Sequence, residues 1–247
     1  KTEKEYEVHY YEVNYKLECK ISSIINYFCD IGTFQSESLG VGIDYLTERR
    51  LAWVFYRYDI NIKRYPKFGE KIKVVTKAKS FKKFYASREY EIYDENNEKI
   101  VDGEGIFLLI NIDKRRAVRI PDDQYTAYGV ELDEKSDIKI EKLEKLQEVT
   151  SKNFFKVRYG DIDSNMHVNN VRYVEWAVES LPLEIVLNYE LKDLSVVFEK
   201  ECKYGAEIIA SYELREDNDE LIVLHKIEND EGTELSILKS RWIKLKN

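Results

Sequence analysis

The order of predicted elements is repeated along the chain, and this repeat restricts the fold more than any other feature of the sequence. Apolar residues recur every three or four positions in residues 22–39, which predicts an amphipathic helix. Segments of alternating apolar and polar residues, typical of half-buried strands, follow at 58–62, 71–79, 86–94 and 99–113. A second predicted helix at 170–187 is followed by predicted strands at 194–202, 206–215, 220–228 and 234–245.

The turns of the two halves correspond as well, since "KFGEKI" (67–72) matches "KYGAEI" (203–208). One helix followed by an antiparallel meander, used twice, indicates an α+β duplication. A helix wrapped by an antiparallel β-sheet, repeated in tandem, is a double hotdog. The alternative is two unrelated α+β domains that share an element order. The expected divisions are an N-terminal hotdog at 1–120, a charged linker at 121–153 with a short helix at 140–149, and a C-terminal hotdog at 154–247.

Composition excludes several classes of protein. Hydrophobic residues make up 43% and charged residues 35% of the 247 residues, a globular balance. The net charge of -8 argues against a surface devoted to nucleic acid, although local basic patches remain compatible with it. Three cysteines without a CxxC pair favour a reducing compartment and no structural metal. With no apolar stretch long enough for a membrane span and no signal-peptide pattern, we expect a cytoplasmic protein.

The two halves differ in the residues that precede their helices. The second half has Asp163, Asn165 and His167 at alternate positions, whereas the corresponding "NYKLECKISS" (14–23) of the first half has no histidine and no matching polar triad. Side chains two residues apart in an extended segment project to the same side. The second half therefore carries a polar row that leads into a helix N-terminus, and the first half does not.

A helix N-terminus offers free backbone N–H groups that can bind an oxyanion, here those of Val168 and Asn169. A base, an orienting carboxylate, a side-chain amide and backbone donors are the parts needed to add water to an acyl carbonyl. Simpler interpretations exist for each residue. Asp163 or Asn169 can serve only as a helix cap, and a lone histidine such as His167 is more often structural than catalytic.

The motif "RYGDIDSNMHVNNVRYVEWAVESLP" (158–182) resembles the signature of the plant-type acyl–acyl carrier protein thioesterases and their bacterial relatives. "FEKECKYG" (198–205) resembles the second motif of that family, and segments 51–76 and 110–121 are also similar to it. The resemblance implies hydrolysis of a fatty acyl thioester of acyl carrier protein by water, without a cofactor. It further implies that the first hotdog binds the acyl chain and takes no part in the chemistry.

Residue by residue, the resemblance implies an active site of Asp163, Asn165, His167 and Glu201. Asn165 and backbone N–H groups would polarise the thioester carbonyl, Glu201 and His167 would deprotonate the attacking water, and Asp163 would orient Asn165 or His167. Cys202 stands where the family was once assigned a nucleophile.

Strand alternation bears on the role of Cys202. Leu194, Val196 and Phe198 share its parity, so an unbroken strand would place Cys202 in the core and Glu201 on the opposite face. A β-bulge near the strand end would void this inference. We therefore expect Cys202 to be structural, with the possibility of thiol attack left open.

A basic island at "KRRAVR" (114–119) stands out in this acidic chain, and the sequence offers Lys114, Arg115, Arg116 and Arg119 as a binding patch for the acidic carrier protein. The alternative is a solvated turn, which we favour for the second island at 79–83. Rival functions are an acyl-CoA thioesterase of the same fold and a non-catalytic acyl-binding hotdog. A homodimer is compatible with all three functions.

Overall fold

The computed structural model describes residues 1–131, 138, 140–163, 166–218 and 220–246. The chain divides into two compact units. Unit 1 comprises Lys1–Tyr56 and Lys63–Glu141, and unit 2 comprises Arg57–Ile62 and Lys142–Asn247. None of the described helices is both long enough and apolar enough to span a membrane.

Unit 1 is one long helix packed against an antiparallel sheet. The helix is α1 (Ile21–Ser38). The strands are β1 (Thr2–Glu7), the first part of β2 (Leu51–Ile62), β3 (Lys71–Lys82), β4 (Tyr85–Tyr93) and β5 (Lys99–Asn111), in the spatial order β1-β3-β4-β5-β2. Phe28 of α1 stacks on Tyr90 of β4 with ring centroids 4.5 Å apart, and the helix buries Ile24 and Ile31 beside it. Burial of this apolar stripe holds the helix on the sheet.

Three short elements cover one end of the sheet of unit 1. They are α2 (Ile43–Glu48), β6 (Arg116–Ala117) and α3 (Asp122–Tyr128). Tyr125 of α3 packs edge-on against Phe81 at 5.2 Å, in a cluster that includes Leu109 and Ile120. Helix α3 thus belongs to the core of unit 1, although its residues fall in the segment expected to be a linker.

Unit 2 repeats the plan with a shorter helix, α4 (Asn170–Glu179), followed by α5 (Leu183–Asn188). Its strands are β7 (Ser151–Lys156), β8 (Tyr189–Phe198), β9 (Glu207–Asp217), β10 (Glu220–Asn229) and β11 (Glu234–Lys244). Residues 57–61 of β2 pair with β8, and the order continues β8-β11-β10-β9-β7 with antiparallel pairing throughout. The predicted α+β double hotdog fold is confirmed.

Three predicted elements need correction. The helix expected at 170–187 is two helices, because Pro182 lacks the N–H that would continue the first one. The strand expected at 194–202 ends at Phe198. The segment 140–149 is not helical, because it bonds to side chains of β9 instead. Glu144 accepts a hydrogen bond from Arg215 at 2.5 Å, and the backbone N–H of Gln147 donates to Glu213.

Candidate active site

The site is built on the loop at residues 158–169, called here the site loop. It begins with a single 3-10 turn at Tyr159–Asp161. Asp161 is buried and accepts hydrogen bonds from the backbone and guanidinium of Arg158, at 2.8 and 3.0 Å. Burial alone would raise the pKa of Asp161, but the bonds from Arg158 and the nearby Arg172 hold it below its usual value. This buried, charged carboxylate anchors the entry of the loop.

The next residues form a tight turn that fixes His167. The Asp163 N–H donates to the His167 carbonyl at 2.8 Å, and the Met166 N–H donates to the Asp163 carbonyl at 3.1 Å. Met166 adopts the left-handed conformation (φ 64°) that closes the turn. The Asp163 carboxylate accepts a hydrogen bond from the backbone N–H of His167 at 3.4 Å. Asp163 therefore shapes the turn that presents the histidine.

The central contact of the site joins His167 to Glu201, with the imidazole Nε2 3.4 Å from a carboxylate Oε2. The Val168 N–H donates to the Cys202 carbonyl at 2.9 Å, and this bond ties the site loop to the segment after β8. The His167 side chain is 22% exposed and that of Glu201 37% exposed. Water can therefore reach the Glu201 carboxylate and the His167 imidazole, which lie next to each other.

The position of Asn165 falls outside the described residues. The oxyanion role expected of the Val168 and Asn169 N–H groups needs correction. Val168 donates to Cys202, and Asn169 donates to the Asp161 carbonyl at 2.8 Å, so neither N–H is free. Asn169 is instead the N-cap of α4, where its side chain accepts from the Val171 N–H at 3.0 Å.

Cys202 is poorly suited to act as a nucleophile. It is 5% exposed, and burial raises the pKa of its thiol by more than the hydrogen bond to the Lys203 backbone lowers it, with a smaller increase from Asp230. The thiolate is the reactive form of cysteine, so a raised pKa leaves little of it at neutral pH. Strand alternation does not explain this burial, since β8 ends at Phe198.

Tyr173 of α4 also lies at the site, although no pattern in the sequence predicts it, and it is 2% exposed. Burial raises the pKa of its hydroxyl, and Cys202, Glu201 and Asp163 raise it further, which marks Tyr173 as their shared neighbour. A tyrosine within the apolar pattern of a helix gives no sign that it differs from an ordinary core residue. Only the fold brings it next to the candidate site.

The basic island is exposed at all four of its predicted positions, Lys114, Arg115, Arg116 and Arg119. The backbone N–H of Ile120 donates to the carbonyl of Lys83 at 2.8 Å, which brings the β3–β4 turn beside the island. Lys79, in contrast, pairs with Glu89 and Glu104. The exposed cations of the island therefore lie close to the turn between β3 and β4.

Comparison with known proteins identifies both halves. The model of the acyl-ACP thioesterase N-terminal domain matches residues 1–128, and that of the C-terminal domain matches residues 143–244. A chloroplastic acyl-[acyl-carrier-protein] hydrolase of Cuphea viscosissima is 26% identical over 251 residues, covering 96% of this chain and 61% of the relative. The oleoyl-acyl carrier protein thioesterase of Coriandrum sativum is 26% identical over 229 residues, covering 85% and 62%. The chain thus spans less than two thirds of either relative.

Two solved structures are similar to this chain over nearly its whole length. A Lactobacillus plantarum protein assigned as an oleoyl thioesterase has a TM-score of 0.90 and 25% identity, covering 99% of this chain and 96% of its own. The 12:0-ACP thioesterase of Umbellularia californica has a TM-score of 0.84 at 21% identity, covering 99% and 97%. At this identity, the similarity to the Umbellularia californica protein shows a shared fold.

Proposed function

This chain belongs to the acyl-ACP thioesterase family, and we propose that it hydrolyses fatty acyl thioesters of acyl carrier protein to free fatty acid and carrier protein. The observation that carries the proposal is the contact between His167 of the site loop and Glu201 of the segment after β8, both of which are partly exposed to water. The chain has the elements of both family domains, and His167 and Glu201 lie in the two motifs that resemble those of the family.

In the proposed reaction, a water molecule beside the Glu201 carboxylate attacks the thioester carbonyl while Glu201, assisted by His167, accepts its proton. Charge then develops on the carbonyl oxygen, and Asn165 is the proposed donor to that oxygen. The Asn170 N–H is a second candidate, because among the described residues it has no hydrogen-bond acceptor. Collapse of the adduct breaks the C–S bond, and the proton held by the Glu201–His167 pair passes to the leaving thiolate.

We assign acyl-chain binding to unit 1. Its sheet carries aromatic side chains that are only partly buried, among them Trp53, Phe55 and Phe107. Phe55 and Phe107 lie 4.7 Å apart, so they form one continuous apolar surface suited to a hydrocarbon chain. We also keep the cytoplasm as the proposed compartment, in keeping with three free cysteines.

The exposed island of Lys114, Arg115, Arg116 and Arg119 is the proposed contact for the carrier protein. Grouped positive charge on a protein of net charge -8 is suited to an acidic partner. Attraction of this kind acts mainly on association and weakens with salt, since the Debye length is about 8 Å at physiological ionic strength.

The test is release of free fatty acid from acyl-ACP and from acyl-CoA with the same acyl chain. We expect kcat/KM to be at least about tenfold higher for acyl-ACP, a size that charge steering readily supplies. Equal or higher values for acyl-CoA would favour an acyl-CoA thioesterase. Binding of fatty acid without any hydrolysis would favour a non-catalytic acyl-binding protein.

The carrier contact has its own test in the double variant Lys114→Glu/Arg116→Glu. The KM for acyl-ACP should rise and its salt dependence should flatten, while hydrolysis of a small acyl thioester stays unchanged. The matched control is Lys152→Glu/Lys156→Glu, which makes the same change in charge at two exposed residues of β7. Equal effects of the two double variants would show that only the net charge matters.

A further inference from the structure

Arg88 is a buried cation inside unit 1 with an unusual set of partners. It lies in β4 and is 9% exposed. Among the described residues, no carboxylate pairs with its guanidinium. The other buried arginine, Arg57, binds Asp59 through two hydrogen bonds, at 2.6 and 2.8 Å. Buried charges are normally paired in this way, because an uncompensated charge in a protein interior is costly.

The partners of Arg88 are all neutral. Its Nη1 donates to the Gln35 carbonyl oxygen at 2.5 Å and to the Thr76 hydroxyl at 3.2 Å. The Gln35 amide nitrogen donates in turn to Thr2 at 2.9 Å, which fixes the orientation of that side chain. The guanidinium also lies over the ring of Tyr128, 5.3 Å from its centre. Arg88 is thus held firmly through one nitrogen, while Nε and Nη2 make no hydrogen bond within the described residues.

The surroundings of Arg88 are the apolar face of the sheet. Arg88 and Tyr90 point toward α1, and their partners on β5 are Gly105 and Gly103. Two glycines at alternate positions leave no side chain beside Arg88 on the β5 side of that face, while Ala78 stands opposite Arg88 on β3. The next residue of the same face is Phe107, which contacts Phe55. On this face the aromatic rings of Phe55 and Phe107 are therefore followed by Gly105, which has no side chain, and then by the Arg88 guanidinium.

We propose that Arg88 determines acyl-chain length by ending the apolar surface along which the chain lies. This rests on the proposed function, with the acyl chain bound in unit 1. A methyl end packed against the guanidinium would strip water from Nε and Nη2 and give no hydrogen bond in return. A chain that ends before Arg88 is bound without penalty, and a longer chain is rejected.

The experiment compares Arg88→Met with the unmodified protein on acyl-ACP substrates of graded length, from about eight to eighteen carbons. Met has a similar length without charge, so the preferred chain should become longer by about two to four carbons. The ratio of kcat/KM between the longer and the original best substrate should rise at least about tenfold, as expected for a few methylenes in an apolar pocket. Arg88→Lys keeps the charge and should keep the original profile.

An unchanged length profile for a folded Arg88→Met, or the same shift in Arg88→Lys, would overturn the proposal and leave thioester hydrolysis intact. If Arg88→Met does not fold, Arg88→Gln removes the charge and retains polar contacts, and it should shift the profile in the same direction. If the unmodified protein hydrolyses no acyl-ACP, the proposed function fails. Displacement of a fluorescent fatty acid by free fatty acids of graded length then tests Arg88 by itself, and an unchanged ranking in Arg88→Met would refute its role.

Discussion

The site loop has a counterpart at residues 9–20 of unit 1, called here the first-copy loop, and the two share nearly every backbone hydrogen bond. Asn14 N–H donates to the Glu18 carbonyl at 2.8 Å, as Asp163 does to His167 at 2.8 Å. Both loops begin with a single 3-10 turn. Leu17 adopts the left-handed conformation (φ 59°) at the position of Met166. The backbone of the site loop is therefore a feature of the fold and does not require catalysis.

The difference between the loops lies in the side chains. Glu18 stands at the position of His167, and the first-copy loop is tied down by Cys19 N–H donating to Pro66, as Val168 donates to Cys202. Tyr65 precedes Pro66 where Glu201 precedes Cys202. At these two equivalent positions unit 2 thus carries a histidine and a carboxylate, whereas unit 1 carries a carboxylate, Glu18, and a tyrosine, Tyr65. The comparison teaches that the chemistry was added to, or lost from, a loop that the hotdog builds in either case.

The largest effect is expected from His167→Glu, which gives the site loop the residue of the first-copy loop. The backbone already accommodates Glu18 there, so the free energy of unfolding should change by less than about 1 kcal/mol. Because the site loses its imidazole and gains a second carboxylate beside Glu201, kcat should fall at least about a hundredfold. Fatty acid release and thermal unfolding measure the two quantities.

The control for this swap is Met166→Leu, which also introduces the first-copy residue, at an exposed position. It should leave kcat within about twofold, as expected for a residue that takes no part in proton transfer. A large loss in both variants, with the fold intact, would mean that the loop conformation and not His167 controls the rate.

A smaller effect is expected from Asp163→Asn. Asn14 shows that an asparagine can hold this turn, since its side-chain oxygen accepts from the Lys16 and Glu18 N–H groups at 2.8 and 3.2 Å. The turn should therefore persist, while loss of the negative charge lowers kcat by about tenfold, less than loss of the base itself. Asp163→Ala should also lose stability, by about 1 kcal/mol, as a lost side-chain cap does. Full activity in Asp163→Asn would reduce Asp163 to a purely structural residue.

The smallest effect is expected from Cys202→Ala. Burial raises the pKa of the thiol, so little thiolate is present at neutral pH, and the amount grows only as the pH rises toward that higher pKa. The variant should keep at least about a third of kcat and lose about 1 kcal/mol of stability for the small cavity. Intact-protein mass spectrometry of the quenched reaction should show no acyl group. An acyl adduct mapped to Cys202 would reverse the assignment of water as the nucleophile.

The sequence was sufficient to predict the double hotdog, because strand alternation and helix periodicity record which faces are buried. The family resemblance also implied that His167 and Glu201 belong to one site, and the structure places them 3.4 Å apart. The sequence could not predict that the N–H groups of Val168 and Asn169 donate to backbone carbonyls, since these hydrogen-bond partners are set by the tertiary fold. Tyr173 was missed for the same reason. Its periodicity shows that it is buried, and only the tertiary fold shows what lies beside it.

The helix wrongly predicted at 140–149 shows a different limit. Its alternating Glu and Lys residues suit a helix surface, but Glu144 instead pairs with Arg215 and Lys239, which lie on two strands of unit 2. Local propensity is a weak prior that such tertiary contacts override. Helix α3, which was expected to be part of a linker, packs into the core of unit 1 through Tyr125. The acidic residues before Tyr125 make this segment look like a solvent-exposed linker in the sequence.

The most direct test of the central claim, that unit 2 carries the chemistry and unit 1 does not, is kcat for Glu201→Gln and Tyr65→Phe on the same acyl-ACP substrate. The two substitutions fall at equivalent positions and remove one functional group each. We predict that Glu201→Gln, which cannot accept the proton from water, loses at least about a hundredfold in kcat, and that Tyr65→Phe stays within about twofold. Comparable losses in the two variants, or a Glu201→Gln protein that remains active, would contradict the account.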